Sequence, residues 1–397
     1  MRARGKVLLA AGAGYFSGCV LLGVGTPAGG PGLRVAALAC MVVGYGVAAV
    51  SLLRPKRKRL RGLELAFLLG FGVLFRLVFL AGGSADVGAL LDLPAQPRST
   101  VAAPAPTAPV PQPPLFLLLS GLFSAISPDL WIGRLLLMFF EVGAWGVLLA
   151  MLEEDRRPSA WLLLYLWHPV AVVASGAGAL STGTVFFLVL GLWFCRRGLG
   201  ARGPVALGLS AAGSYLVFPA LLAAAAGPLR KRLVGAAVVV ALLAIGVTVA
   251  WLAPGWRAGF WEALSTGTRN AGLFALVEWA TGSRWLAWGV AVVLCAGVGW
   301  FFGGREPNVV FDRMLKTAIL VAPVVAAGGL HVLIPLLVLG PSVVWAAFPC
   351  AVLLLEVALG GGDVPLWWLA AQYGALAAGL VVEGVWRRRV RAEPGRC

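Results

Sequence analysis

The sequence predicts an all-α protein that crosses a membrane about 10–12 times. Three observations predict this fold. The chain of 397 residues is 60% hydrophobic and 12% charged, with a mean hydropathy of +0.92, whereas a soluble domain of this length needs more surface charge. Its apolar runs are roughly 18–25 residues long, the length that a helix needs to cross hydrocarbon. The runs are continuous rather than alternating, which excludes a transmembrane β-barrel.

The basic residues predict how the chain is oriented. The formal net charge is +16, but these residues form short clusters between apolar runs, which is typical of cytoplasmic loops rather than of a nucleic-acid-binding surface. We therefore expect the inner (plasma) membrane, cytoplasmic termini and contact with membrane lipids, but no nucleic acid. The clusters cover residues 2–6, 54–61, 196–202, 230–232 and 387–391.

Three regions follow from this pattern. Residues 1–62 predict a transmembrane hairpin (7–25 and 33–53) with a basic cytoplasmic loop, residues 63–386 a transmembrane core, and residues 387–397 a basic cytoplasmic tail. The span 63–80 leads outward to a long external loop, 82–114, which is rich in proline and alanine. Residues 115–126 are too few to cross a membrane comfortably and predict an interfacial or partly buried helix.

The rest of the core predicts further spans and a second external loop, 253–284. Two stretches, 204–226 and 332–359, would put basic clusters on the wrong side as single spans. We expect each to be broken, at Gly213-Ser214 and at Gly340-Pro341, because discontinuous helices commonly line substrate cavities. The other spans are expected at residues 131–152, 161–175, 185–194, 234–252, 285–302, 317–329 and 366–386.

Asp86 is the first candidate for chemistry. It follows closely after the outward span, and a carboxylate beside apolar surface can act as a general base on a lipid-linked substrate. The alternative is a solvated acid in a disordered linker. Nucleotide-binding and nucleophile motifs are absent. The six scattered cysteines give neither a metal-ligand spacing nor a disulfide framework.

Three further polar residues interrupt apolar runs. Arg134 can bind a phosphate, or its side chain can extend to the lipid headgroups. His168 lies near mid-span, where a polar ring must face protein or a cavity, and a packing role is the alternative. His331 lies at a helix end, and it too can either face a substrate cavity or have a packing role.

The order of these features resembles the polyprenyl-phosphate-dependent mannosyltransferases of the glycosyltransferase C superfamily, particularly the bacterial multi-span hexosyltransferases. The resemblance covers roughly residues 76–341. It implies a glycosyltransferase C-like fold with two long external loops. It is carried by the segments Ser84-Ala85-Asp86-Val87, Pro113-Pro114-Leu115, Tyr165–Pro169, Thr268–Phe274 and His331-Val332-Leu333-Ile334.

The chain also departs from the family pattern. Residues 178–182 lack the histidine and the acid of the family's Gly-His-x-Asp segment, and Ser214-Tyr215 stands where a lysine is usual. The aromatic-arginine pair after the loop acid is replaced by Gly88-Ala89-Leu90.

The resemblance implies transfer of a hexose, with mannose as first candidate, from a polyprenyl-phosphate donor to an external glycan or lipid acceptor. Asp86 would be the catalytic base, no cofactor is implied, and a divalent metal stays open. A catalytically degenerate homologue, acting as a transporter or scaffold in a cell-envelope glycan pathway, is the alternative. The substrate-binding residues implied are Arg134, His168, Arg257, Arg269, Asn270 and His331.

Overall fold

A computed structural model of the chain describes residues 3–23, 31–52, 62–81, 130–176, 179, 181–214, 216–217, 248, 271–302, 305–323, 325, 327–359 and 364–392. All regular elements in these ranges are helices. Five of them are long and apolar enough to cross a membrane, or six if one bent pair counts as a single span. This is the architecture of a multi-pass membrane protein, as the sequence predicts.

The helices are numbered in chain order. They are α1 (Ala3–Gly23), α2 (Pro31–Leu52), α3 (Gly62–Ala81), α4 (Leu130–Glu154), α5 (Ser159–Leu166, its first turn 3-10), α6 (Pro169–Gly176), α7 (Ser181–Arg196), α8 (Arg202–Ala212), α9 (Leu273–Thr281), α10 (Arg284–Phe302), α11 (Pro307–Val321), α12 (Ala327–Leu339, with a 3-10 turn at His331–Leu333), α13 (Val343–Leu359) and α14 (Leu366–Ala392). The predicted first external loop, the helix at 115–126 and the span at 234–252 lie outside the described residues, apart from Thr248.

The core is aromatic where α1, α3 and α5 meet. The ring centroids of Tyr15 and Phe75 lie 4.3 Å apart, and those of Phe75 and Trp167 lie 5.2 Å apart. All three side chains are buried. The Trp167 indole Nε1 donates to the carbonyl of Leu68 (3.2 Å), so the polar edge of this large side chain is satisfied within the core.

Breaks in the helices occur at two of the predicted positions. Helix α8 ends just before Gly213, and α12 ends just before Gly340. The predicted span 161–175 is instead two helices, α5 and α6, bent by 60°. Its pattern is apolar throughout, so only the His168-Pro169 pair in the sequence marks the bend. Proline suits the first position of a new helix, where its missing N–H costs nothing.

The structure has no helix boundary at residue 317, where the sequence predicts that a span begins. Helix α11 runs through it without interruption to Val321 and is followed by Ala322 in an extended conformation. The residue before a proline is disfavoured in the helical conformation, and Pro323 follows Ala322. The helix therefore ends at this proline rather than at the change from polar to apolar residues.

The charged turn after α4 and the basic end of α7 lie at the same end of the bundle. Asp155 pairs with Arg196, and Glu154 pairs with Arg197. The Arg157 guanidinium donates to the carbonyl of Leu339 at the end of α12. Basic residues of the predicted cytoplasmic cluster 196–202 are thus brought together with the acids of the turn after α4.

Helices α1 and α2 form a tightly packed hairpin because glycines let their backbones approach. A Cβ added at Gly18 would lie 2.6 Å from the carbonyl oxygen of Ala37, and one at Gly44 would lie 2.9 Å from that of Ala11. Small residues at helix interfaces are the usual means of close packing in membranes. A Cβ added at Gly46, on the same helix as Gly44, would meet nothing within 4 Å.

We therefore expect Gly44→Ala to lower the free energy of unfolding by about 1–3 kcal/mol, the usual effect of overpacking. Gly46→Ala should leave it unchanged or raise it, because alanine is the better helix former. Thermal unfolding of both variants in the same detergent checks this. Equal behaviour of the two alanines would contradict the close packing of α1 on α2.

Candidate functional site

The predicted site residues fall into two groups. Asp86, Arg257, Arg269 and Asn270 lie outside the described residues. Arg134, His168 and His331 are described, on α4, at the α5–α6 bend and in α12, respectively. In the described part of the chain, no hydrogen bond joins these three side chains to one another.

Arg134 lies in the first turns of α4. Its side chain is half-buried, and its buried Nε has no hydrogen-bond partner in the part of the chain that the structure describes. An arginine N–H that protein groups leave unpaired can donate to an anionic ligand. The geometry therefore leaves both of the sequence-based interpretations of Arg134 open.

His168 stabilises the start of α6. Its Nδ1 accepts a hydrogen bond from the backbone N–H of Val170 (3.2 Å), while Nε2 lies 3.0 Å from the carbonyl oxygen of Ala346. The ring therefore caps α6 as an N-cap side chain does, with Pro169 in the first helical position. The side chain is completely buried, so the geometry favours the packing role.

The most polar part of the described interior is an ion pair between α3 and α4. The Arg76 Nε donates to Glu141 Oε1 (2.9 Å), and both side chains are completely inaccessible to solvent. Trp145 adds a second donor, its Nε1 lying 3.2 Å from the same oxygen, and its ring lies 4.9 Å from the Arg76 guanidinium carbon. The buried charges are thus paired and hydrogen-bonded, as charges inside a membrane must be.

Arg76 also supports the bend between α5 and α6. Its Nη1 donates to the carbonyl of Leu166 (2.8 Å), the last residue of α5, and to that of Gly72 (2.9 Å). The final carbonyls of a helix lack partners within that helix. The guanidinium therefore donates to the Leu166 carbonyl, which has no partner within its own helix because of the bend. With the bond to Glu141, this contact joins α3, α4 and α5.

His331 joins the same polar cluster through a tyrosine. Tyr165 Oη donates to Glu141 Oε2 (2.7 Å) and lies 3.3 Å from His331 Nε2. The Tyr165 and His331 rings are nearly parallel, with centroids 5.9 Å apart. Ser181 Oγ, in the first residue of α7, lies 3.3 Å from His331 Nδ1. Both ring nitrogens of His331 are thus matched to protein groups.

We name the five side chains Arg76, Glu141, Tyr165, His331 and Ser181 the polar cluster. Sequence reasoning selected only His331 as a site residue. The signal for two others was present: Arg76 and Glu141 are opposite charges inside apolar runs, and such charges must find partners. Tyr165 lies in a segment that carries the family resemblance and Ser181 in one that departs from it, but nothing in the sequence joins either residue to Glu141.

The polar cluster does not include the elements of a metal centre. No group of three or more His, Cys, Asp or Glu side chains able to hold a metal ion is found within the ranges given above. The cluster links five helices, α3, α4, α5, α7 and α12, through one buried ion pair and a series of hydrogen bonds.

No protein-family model matches the chain, and neither a curated protein nor a solved structure shows significant similarity to it.

We expect Arg76→Met to lower the free energy of unfolding by about 3–5 kcal/mol, because it leaves the Glu141 carboxylate buried without its cation. It also leaves the Leu166 carbonyl unpaired. The double variant Arg76→Met/Glu141→Leu should recover part of this loss, since neither charge is then buried. Thermal unfolding of the single and double variants gives the coupling energy.

The exposed pair Glu154–Arg197 is the matched control. Removing its cation by Arg197→Met should change stability by no more than about 1 kcal/mol, because solvent screens a surface pair. A loss from Arg76→Met as small as that from Arg197→Met would contradict the role of the buried pair.

Proposed function

We propose that the chain is an integral-membrane hexosyltransferase of the glycosyltransferase C type. It moves a hexose, with mannose as first candidate, from a polyprenyl-phosphate donor to an external glycan or lipid acceptor. The family motifs quoted above are the sequence basis. The observation that carries the proposal in the structure is the ion pair Arg76–Glu141.

The ion pair is related to Asp86 because it joins the two helices that flank the segment containing Asp86. Asp86 belongs to the segment between α3 and α4, and the buried pair joins these two helices. The segment thus begins and ends on helices that are locked to each other. A catalytic base requires a rigid support of this kind, because small displacements of reacting groups are costly in rate.

In the proposed reaction, Asp86 removes the proton from an acceptor hydroxyl as that oxygen attacks the anomeric carbon of the hexose. The bond between the sugar and the phosphate breaks, and the lipid phosphate leaves with the bonding electrons. Arg134, Arg257 and Arg269 neutralise this phosphate, and Asn270 contributes hydrogen bonds to the sugar. The Nε of Arg134, which has no hydrogen-bond partner among the described residues, supports its part in this set.

The proposed location is the inner (plasma) membrane with both termini in the cytoplasm. The basic clusters of the sequence support this orientation. The contacts of Arg196 and Arg197 with Asp155 and Glu154 place this basic cluster beside the charged turn after α4, at one end of the bundle.

The second candidate is a catalytically degenerate homologue that acts as a transporter or scaffold in a cell-envelope glycan pathway. A specific observation favours it. His168 and His331 are completely buried, and the ring nitrogens of both are hydrogen-bonded to protein groups. Two of the residues expected to bind substrate thus have structural partners.

Transfer of radiolabelled hexose from polyprenyl-phosphate donors, in membranes that contain the full chain, tests the proposal. We expect transfer with the native protein and a loss of about 10²–10⁴-fold in rate with Asp86→Ala, the usual contribution of a general base. Asp86→Asn keeps the side-chain size and should be impaired to the same extent.

Asp92→Ala is the matched control, because it removes the neighbouring acid of the same segment. It should retain transfer. Absence of transfer from any donor with well-folded protein would favour the degenerate homologue, and equal losses from Asp86→Ala and Asp92→Ala would remove Asp86 as the base.

A further inference from the structure

Helix α14 has a wide apolar face that is open to its surroundings. In the part of this helix that is long and apolar enough to cross a membrane, only 6% of the residues are buried. Val381, Val382, Val385 and Trp386 are 66%, 67%, 47% and 63% exposed, respectively. We call these four side chains the exposed face of α14. In a membrane, such a face contacts either lipid chains or another protein.

The opposite side of α14 packs against α13. The ring centroids of Tyr373 and Phe348 lie 5.5 Å apart, and Ser342 Oγ donates to Glu383 Oε2 (2.7 Å). Leu376, which lies between Tyr373 and Glu383 on the same side of the helix, is buried. The helix is thus held to the bundle along one stripe, and the exposed face lies outside that stripe.

The helix continues without a break into a basic segment. Residues 384–392 are α-helical throughout, and they contain four arginines and no acidic residue. Arg388 lies seven positions after Val381, and Arg389 lies seven positions after Val382. Positions seven apart lie on the same side of an α-helix, so these two arginines continue the exposed face.

The other two arginines of this segment belong to the packed side. Arg387 follows Glu383 by four positions, and Arg391 follows Arg387 by four more. Positions four apart are neighbours on one side of a helix. The four arginines therefore form two pairs of equal charge on different sides of the same helix.

The tryptophans of α14 indicate the depth of these arginines in the membrane. Trp367 and Trp386 are both exposed, and they begin and end a segment of 20 residues. Such a segment is about 30 Å long, which matches the thickness of the hydrocarbon layer. Tryptophan prefers the two interfaces of this layer. Arg388 and Arg389 follow Trp386 within one turn, and we therefore expect them at the level of the lipid phosphates.

We propose that this end of α14 is a binding site for an anionic phospholipid. An acyl chain lies along the exposed face, and the phosphate of the headgroup is bound at Arg388 and Arg389. Arginine offers several N–H groups to a phosphate at once, so two neighbouring arginines suit a single headgroup. Basic clusters directly beyond a transmembrane helix are typical of sites for anionic lipids.

The charge of the site favours a lipid over a second copy of the chain. Two copies in one membrane share an orientation, and a two-fold interface through the exposed face would place the same residues opposite one another. The arginines of the two copies would then repel each other. An anionic headgroup is attracted instead, whereas a zwitterionic headgroup carries a cation of its own. This proposal does not depend on the hexosyltransferase proposal, because it concerns α14 alone.

Native mass spectrometry of the full protein, titrated with dioleoyl-phosphatidylglycerol or dioleoyl-phosphatidylcholine, tests the proposal. We expect the first molecule of the anionic lipid to bind about 30-fold more tightly than the zwitterionic one, because each arginine near the headgroups contributes about fivefold. Arg388→Gln/Arg389→Gln should remove this preference and leave the affinity for phosphatidylcholine unchanged.

Arg387→Gln/Arg391→Gln is the matched control, because it removes the same charge from the same end of α14 but from the packed side. It should keep the preference for phosphatidylglycerol. Arg388→Lys/Arg389→Lys retains the charge of the exposed side and should also keep most of the preference. Thermal unfolding of all variants in one detergent should be alike, which separates lipid binding from folding.

A phosphatidylglycerol that carries a photoreactive diazirine in its acyl chain locates the bound lipid. With the full protein in nanodiscs, we expect adducts within residues 381–386 of α14. These adducts should decrease in Arg388→Gln/Arg389→Gln and persist in the matched control.

Four results would overturn the proposal. Equal affinities for the two lipids would mean that charge has no part in binding. Equal losses in the two double glutamine variants would mean that only the overall basic charge matters. Adducts confined to other helices would place the lipid elsewhere. A dimer in the mass spectra that binds no phosphatidylglycerol would mean that a second copy covers the exposed face.

Discussion

The interior of this protein depends on the ion pair between Arg76 and Glu141. Removing both charges from water costs several kcal/mol for each ion. The attraction between the two ions offsets this cost only because neighbouring groups hydrogen-bond both of them. Trp145 and Tyr165 donate to the carboxylate, and the backbone of two helices accepts from the guanidinium. The three helices α3, α4 and α5 must therefore keep their relative positions for the charges to remain satisfied.

Broken helices are the second theme of the structure, and polar side chains contact the freed backbone groups at two of the breaks. Leu166 ends α5 with its carbonyl on Arg76, and α6 begins with its Val170 N–H on the His168 ring. At the start of α12, the N–H of Ala327 donates to the buried Glu356 carboxylate (3.1 Å). Backbone groups freed inside a membrane need such partners, because lipid supplies none. Buried polar side chains therefore satisfy the backbone at these two discontinuities.

Local signals in the sequence were sufficient for much of the fold. Continuous apolar runs predicted the long helices, and glycines predicted the breaks after α8 and α12. The 60° bend before Pro169 was missed, because the stretch is apolar on both sides. Glu141 and Arg76 are 65 positions apart, and nothing local encodes their pairing. The role of Asp86 stays a prediction, because it rests on family motifs in a segment outside the described residues.

The burial of the ion pair also sets how the protein responds to ionic strength. Dissolved ions screen charges that are exposed to solvent, and the screening (Debye) length is roughly 10 Å at 0.1 M salt. Glu154 and Arg197 are exposed to the solvent and are open to such screening, whereas Arg76 and Glu141 are closed to it. Concentrated salt would therefore weaken the charged contacts at the end of the bundle and leave its centre intact. Extraction and purification at high ionic strength are compatible with the native packing of α3, α4 and α5.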